Sequence, residues 1–76
     1  MAKKTLERLK KGVIGKVIDI KCPNTIKKRL MDMGLCLGAK IEYIGKAPLG
    51  DPLLFKVKEI LLALRKKVAK DIIVEI

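Results

Sequence analysis

The residues that most often carry out acid-base chemistry or bind transition metals are scarce in this sequence. None of its 76 residues is histidine, so the usual general base and the usual metal-binding ring are both missing. The two cysteines, Cys22 and Cys36, lie fourteen positions apart with no second pair. A four-ligand zinc site would therefore need carboxylates or another chain to complete it. We predict no metal site and no cofactor.

Other catalytic groups are equally sparse. The eight carboxylates do not form a close pair along the chain, so the sequence gives no sign of paired acid-base residues. The six glycines, at positions 12, 15, 34, 38, 45 and 50, do not have the spacing of a phosphate-binding loop. We predict that the protein is not an enzyme, and that its thiols are reduced and partly buried, with a redox pair as the alternative.

Length and charge restrict the class of protein. Eighteen basic residues against eight acidic ones give a net charge of +10, and half of the residues are hydrophobic. We predict a single folded domain over residues 1–76. The longest uncharged stretch, Met33 to Ala39, has seven residues, whereas a transmembrane helix needs about 20. The N-terminus also lacks the apolar core of a secretory signal. We expect a cytoplasmic protein without direct membrane insertion.

The spacing of apolar side chains predicts a mainly β fold around these residues. Alternating or β-branched residues predict five strands, over residues 13–20, 39–46, 53–58, 60–65 and 72–76. Ile26, Leu30 and Met33 share one face of a short helix, which Asn24 is expected to cap and Gly34 to terminate. Five short strands, with one helix inserted after the first, favour a small SH3-like barrel whose closure removes exposed sheet edges.

The predicted core takes a residue from each main element. Its members are expected to be Ile18, Leu30, Ile41, Phe55, Leu64 and Val74. The residues ahead of the first strand predict one helical turn, capped by Thr5, with Leu6 and Leu9 on one face.

Two segments supply apolar residues that the predicted core does not need. Residues 33–38 end the helix, and one apolar residue of this segment can pack against the last helical turn. Cys36 and Leu37 are then left without a predicted place in the core. In residues 47–52, Leu49 lies between conformationally restricted residues. Each segment is either turn chemistry alone or an exposed contact for a protein partner.

Three motifs, in this order, resemble those of the FeoA family. Preceded by Leu6-x-x-Leu9-x-x-Gly12, they are Arg29-Leu30-x-x-Met33-Gly34-Leu35-x-x-Gly38, then Pro48-Leu49-Gly50-Asp51-Pro52, then Leu62-Ala63-Leu64-Arg65. Together they cover nearly the whole chain, and their combination is more specific than any one alone.

The resemblance implies an SH3-like barrel without enzymatic activity. It also implies a regulatory role in ferrous iron uptake, as the small cytosolic partner of FeoB, the GTPase-linked membrane transporter. We place the docking surface on Cys36, Leu37, Leu49 and the lysines near the N-terminus. Arg29 is expected to have a structural role, either in a salt bridge on its own helix or in holding a neighbouring loop, and Arg65 is expected to do the same at the end of its strand. The apolar excess leaves self-association open.

Two positions depart from the pattern that is usual in the family. Leu37 stands where the family usually has proline, which is expected to loosen the chain ahead of the second strand. Glu59 stands where glycine is usual. The turn between the third and fourth strands is therefore expected to carry a side chain at a positive-φ position.

The basic charge supports a second class of function. Residues 1–28 hold nine basic and two acidic residues, whereas residues 29–76 hold nine and six. Such a region is either solvated or attracts acidic proteins, anionic lipids or nucleic acid. A small RNA-binding protein is therefore the alternative. The resemblance implies a further alternative, a stand-alone relative of the C-terminal domain of DtxR-type iron-dependent repressors, because that domain has a similar barrel. We expect no nucleic-acid binding, because neither Tyr43 nor Phe55 lies in a basic-aromatic cluster that could stack bases.

Overall fold

A six-stranded antiparallel sheet, wrapped around one hydrophobic core, makes up most of the computed structural model, which describes residues 2–76. Met1, the first residue of the predicted domain, lies outside the described residues. In chain order the elements are β1 (Lys3–Thr5), a 3₁₀ turn (Leu6–Arg8), β2 (Ile14–Ile20), α1 (Asn24–Asp32), β3 (Lys40–Lys46), β4 (Leu53–Val57), β5 (Ile60–Leu64), α2 (Lys66–Ala69) and β6 (Ile72–Glu75).

The mainly β, SH3-like architecture is confirmed, with one strand more than the five predicted. The five predicted strands correspond to β2 through β6. The additional strand, β1, pairs with β6, so that Lys3 faces Glu75 and Thr5 faces Ile73. Since β1 has only three residues and two of them are lysines, it has no apolar alternation to reveal it. The helix accordingly follows the second strand rather than the first.

The sheet keeps two edges. Its order is β1-β6-β2-β3-β4-β5, and within residues 2–76 no ladder joins β5 to β1. The expectation that closure removes exposed edges is therefore wrong at the level of backbone pairing. The sheet encloses its core by curvature, because buried side chains from β2 through β6 form one cluster with those of the 3₁₀ turn and α1.

Five of the six predicted core residues are buried, and Ile18 is not. Its neighbour Val17 is fully buried instead, while Ile18 is half-buried. The pairing of β2 with β6 shifts by one residue between Val17 and Asp19. Such a bulge places one extra residue in the strand, so Val17 and Ile20 both point inward and simple alternation fails at Ile18.

The helix end was predicted correctly and the helix start was not. Pro23 occupies the N-cap position without a side-chain hydrogen bond, and Asn24 is already the first helical residue. At the other end, the Gly34 N–H donates to the Met31 carbonyl at 3.0 Å and the Leu35 N–H to the Leu30 carbonyl at 2.9 Å. With Gly34 at φ +93°, these bonds form a Schellman motif.

Predictions were also made for the 3₁₀ turn, for the turn before β5 and for the end of β6. Thr5 precedes the 3₁₀ turn but its side chain makes no capping bond, although Leu6 and Leu9 are both buried as expected. Glu59 has the expected positive φ, at 69°. Ile76 lies beyond β6 and is 38% exposed, so the final strand is shorter than predicted.

Candidate functional site

The segment after α1 presents Leu37 on a tight turn. The Ala39 N–H donates to the Cys36 carbonyl at 3.0 Å and Gly38 has φ +89°. These are features of a type II β-turn in which Leu37 is the first central residue. Because Leu35 and Ala39 are buried on either side of the turn, Leu37 stays outside the core and is 60% exposed.

The turn gives a physical reason why the family pattern usually has proline at the position of Leu37. The first central position of a type II turn suits proline, because the proline ring fixes φ near the required value. Leucine occupies the same position here with the turn formed. The Gly38 N–H also donates to the Val17 carbonyl at 2.7 Å, which ties the turn to β2.

The loop between β3 and β4 presents Leu49, which is 97% exposed. The Gly50 N–H donates to the Ala47 carbonyl at 2.7 Å, with Pro48 and Leu49 as the central residues of the turn. The Ala47 N–H donates to the Pro52 carbonyl at 3.0 Å and closes the base of the loop. A leucine so exposed adds almost nothing to the core, so its whole surface is available to a partner.

Asp51 fastens this loop to the start of α2. Its Oδ1 accepts the Lys66 N–H at 3.0 Å, which satisfies one of the free donors at a helix start. Its Oδ2 lies 3.7 Å from Arg65 Nη1. Since the Arg65 side chain is 72% exposed, this ion pair contributes at most about 1 kcal/mol. Asp51 and Arg65 thus position the loop that carries Leu49.

The structure separates the two exposed leucines. Leu37 precedes β3 and Leu49 follows it, so the whole seven-residue strand lies between them. At about 3.3 Å per residue, this strand spans roughly 20 Å. The predicted docking surface is therefore divided into a Leu37 turn (residues 36–39) and a Leu49 loop (residues 47–52), at opposite ends of β3.

The other predicted site residues lie close to these two segments or in the core. Leu30, Leu35 and Leu64 are buried. Met33, Gly34 and Gly50 are partly buried, and Gly38 and Pro48 are exposed in their turns. Arg29 is exposed on α1 and forms no ion pair with a carboxylate of residues 2–76.

The two cysteines lie in different environments. Cys22 is 8% exposed, and its Sγ lies 3.9 Å from the Val68 carbonyl. Burial raises the pKa of the Cys22 thiol, and the negative charge of Asp71 raises it further. Cys36 is half-buried, with its Sγ 3.8 Å from the Gly34 carbonyl. Both thiols are free. Within the described part of the chain, no three Cys, Asp or Glu residues gather where they could hold a metal ion.

Basic residues near the N-terminus form a shallow cleft beside β1. It is lined by Lys3, Lys4, Thr5 and Arg8. Across the neighbouring strands an acidic residue interrupts the positive charge, because Glu75 pairs with Lys3 on one side and with Lys16 on the other. The N-terminal lysines therefore form a charged rim rather than a site built for one anion.

Sequence reasoning missed the exposed apolar surface on β5. Ile60 is 51% exposed and Leu61 is 63% exposed. The sequence feature that could have revealed this surface is a run of five apolar residues without alternation, Ile60 to Leu64. Such a run indicates a strand with apolar side chains on both faces. No helix within residues 2–76 is both long enough and apolar enough to cross a membrane.

Comparisons with known proteins place these features in a family. A family model described as FeoA domain matches residues 4–76. The solution structure of a FeoA protein from Chlorobium tepidum has a TM-score of 0.91 and is 37% identical, covering 96% of this chain and 70% of that one. No curated protein matches the sequence.

Two further solved structures are similar. The solution structure of iron(II) transport protein A from Clostridium thermocellum has a TM-score of 0.89 at 34% identity; the match covers 96% of this chain and only 45% of that chain. The crystal structure of Stenotrophomonas maltophilia FeoA, complexed with zinc and described as a prokaryotic SH3 domain protein, has a TM-score of 0.81 at 29% identity, covering 95% of this chain and 89% of that one.

Proposed function

Since this chain belongs to the FeoA family, we propose that it is an accessory protein of ferrous iron uptake that acts in the cytosol by binding a FeoB-type GTPase-linked transporter. The ferrous iron association is that of the family and its named relatives. The proposal needs no catalytic residue, and the chain has no histidine. Its action would be regulatory, through protein contact.

The observation that carries this proposal is the exposure of Leu49 on an anchored loop. Its side chain is 97% exposed, while Asp51 fixes the same loop to α2. An apolar side chain held on a rigid loop loses little conformational entropy when a partner covers it. The Leu37 turn has the same character, since the bond from Gly38 to Val17 holds it on β2.

The test is a set of point variants in cells that depend on this protein for ferrous iron uptake. We expect Leu49→Glu and Leu37→Glu to abolish uptake and to prevent capture by the cytosolic portion of the transporter, with the melting temperature nearly unchanged. Leu30→Glu, at a position that is 3% exposed, should unfold the protein. The two surface variants are assayed separately, because the two sites lie at opposite ends of β3.

Leu37→Pro is the matched control for the Leu37 turn. Proline suits this turn position, so the variant keeps the turn and removes only the projecting side chain. Loss of uptake in both Leu37 variants assigns the effect to the side chain. If both Glu variants fold and support uptake as well as the parent, the docking surface lies elsewhere.

The second candidate function, RNA binding, is supported by the basic cleft of Lys3, Lys4 and Arg8 and by the net charge of +10. Binding through phosphates weakens steeply with salt. Micromolar or tighter RNA affinity with such a salt dependence would favour this function over transporter regulation. We expect no such binding, because the chain's two aromatic residues pack against each other in a tilted arrangement, with 5.5 Å between ring centroids, and neither lies in a basic cluster that could stack bases.

A further inference from the structure

Strand β5 leaves one edge of the sheet open. Within residues 2–76 it pairs with β4 alone, and residues 60–64 make no other main-chain hydrogen bond. Its five residues carry no charge. The opposite edge, β1, has three residues, of which Lys3 and Lys4 are charged. Short length and lysines are the usual protections of an edge strand, so β1 is protected and β5 is not.

The side chains of β5 make this open edge apolar on its outer face. Leu62 and Leu64 point into the core, at 6% and 5% exposure. Leu61 and Ala63 point outward and are exposed, as is Ile60 where the strand begins. A strand added beside β5 would therefore complete the main-chain pairing and cover Leu61 at the same time.

The surroundings of this edge are basic. Lys56 lies directly opposite Leu61 on β4, Lys58 precedes the strand, and the exposed residues 65–67 that follow it are Arg-Lys-Lys. Glu59 is the only acidic residue between positions 56 and 67. An acidic partner segment is thus attracted at both ends of the strand.

We propose that the free edge of β5 binds an extended segment of a partner protein, apolar at alternate positions and acidic at its ends, as an added antiparallel or parallel strand. The main-chain N–H and C=O groups of β5 would supply the affinity, and Leu61 with its basic neighbours the selectivity. The proposal goes beyond transporter binding, because it names the chemistry of the bound segment and its mode of binding, and its test does not use the transporter.

Charge disfavours a second copy of this chain as the occupant. In an antiparallel pair centred on Leu62, Lys58 of each copy would face Lys66 of the other, and like charges directly opposite are destabilising. Glu59 facing Arg65 would offset only part of this, since each copy carries a net charge of +10. An acidic segment meets no such repulsion.

The test uses the full chain labelled with ¹⁵N and titrated with a synthetic peptide. The probe peptide alternates valine and threonine in its centre and carries two glutamates at each end. We expect amide shifts and slowed hydrogen exchange at residues 60–64. A peptide with lysines in place of the glutamates should bind at least about tenfold more weakly. A version with N-methylated central amides should not bind, because it lacks the pairing donors.

Two protein variants separate the edge from the rest of the outer face. Leu61 and Ile14 belong to one outward row across the sheet, through Glu42 and Lys56, and both are more than half exposed. Leu61→Glu should weaken the probe peptide at least about tenfold. Ile14→Glu, on an interior strand of the sheet, should leave its binding unchanged. Melting temperatures confirm that both variants fold.

The alternative outcomes overturn the proposal. Equal binding of the N-methylated or lysine-ended peptide would show that main-chain pairing or the basic rim is not involved. Shifts that map away from residues 60–64, or no binding at millimolar peptide, would remove β5 as the site. Protection of these amides without peptide, together with a dimer in sedimentation, would show that a second copy covers the edge instead.

Discussion

Replacement of Phe55 by alanine tests how much of the fold depends on the centre of the sheet. Phe55 is fully buried on β4, between its cross-strand partners Tyr43 and Leu62. Its ring lies 5.5 Å from that of Tyr43, centroid to centroid, at an interplanar angle of 49°. Removal of a buried phenyl ring costs about 3–5 kcal/mol, because the cavity left behind closes only partly.

This loss is large against the stability expected of the whole domain. At about 0.05–0.15 kcal/mol per residue, a chain of 76 residues has a free energy of unfolding of roughly 4–11 kcal/mol. For domains of this size each kcal/mol lowers Tm by about 4–8 °C. A loss of about 4 kcal/mol thus lowers Tm by roughly 16–32 °C.

The measurement is urea unfolding followed by far-ultraviolet circular dichroism, with thermal unfolding beside it. Phe55→Leu, which keeps most of the apolar volume, should lose only about 1–2 kcal/mol. Lys56→Ala, at the exposed neighbouring position, should stay within about 0.5 kcal/mol of the parent. A loss below about 1 kcal/mol for Phe55→Ala would contradict the burial of this ring in the core.

Four further predictions concern the hairpin turn, the two thiols, the pH dependence of stability and metal ions. Glu59→Gly should raise stability by roughly 0.5–1 kcal/mol in urea unfolding, because Glu59 has φ 69° and glycine adopts this conformation without strain; a loss of stability would argue against the turn. Cys36 should react with iodoacetamide faster than Cys22, and a faster Cys22 would contradict its burial. Because burial raises the pKa of Cys22 above its ordinary value of 9.0, the folded state holds the thiol proton more tightly than the unfolded chain. Stability should therefore fall as pH rises through 9.0, and Cys22→Ala should remove that dependence. Calorimetry with ferrous iron or zinc should show no one-to-one site of micromolar affinity, and such a site, if lost in Cys22→Ser or Cys36→Ser, would refute the prediction.

Alternation and turn chemistry were enough to locate most elements of the fold. The strands from β2 to β6 follow apolar periodicity, and the end of α1 follows from Gly34 and Leu35, whose Schellman bonds need a positive-φ residue and an apolar one in that order. The predictions that were wrong concern features determined by the pairing of strands that are distant in sequence. Strand β1 is defined by its pairing with β6, and the bulge near Ile18 is a shift in the register between β2 and β6.

The candidate site could likewise be predicted only in part from the sequence. Exposure of Leu37 and Leu49 could be predicted, because each lies in a turn that the core does not need. Their separation was also contained in the sequence, since both flank the same predicted strand, but it follows only when the length of that strand is considered. The open edge at β5 could not be predicted, because the position of a strand within a sheet depends on the sheet order.

Leu37, Leu49 and the edge of β5 are each held in place by main-chain or side-chain contacts of the segment that carries them. The Leu37 turn lies between a Schellman motif and a hydrogen bond to β2. The Leu49 loop is fastened by Asp51 to α2. The edge of β5 begins at a hairpin turn with two positive-φ residues, Lys58 and Glu59, which is the signature of a tight two-residue turn. Association costs ordering entropy, and surfaces already ordered in the free protein avoid much of that cost. Such fixed apolar projections favour the proposed action through protein contact.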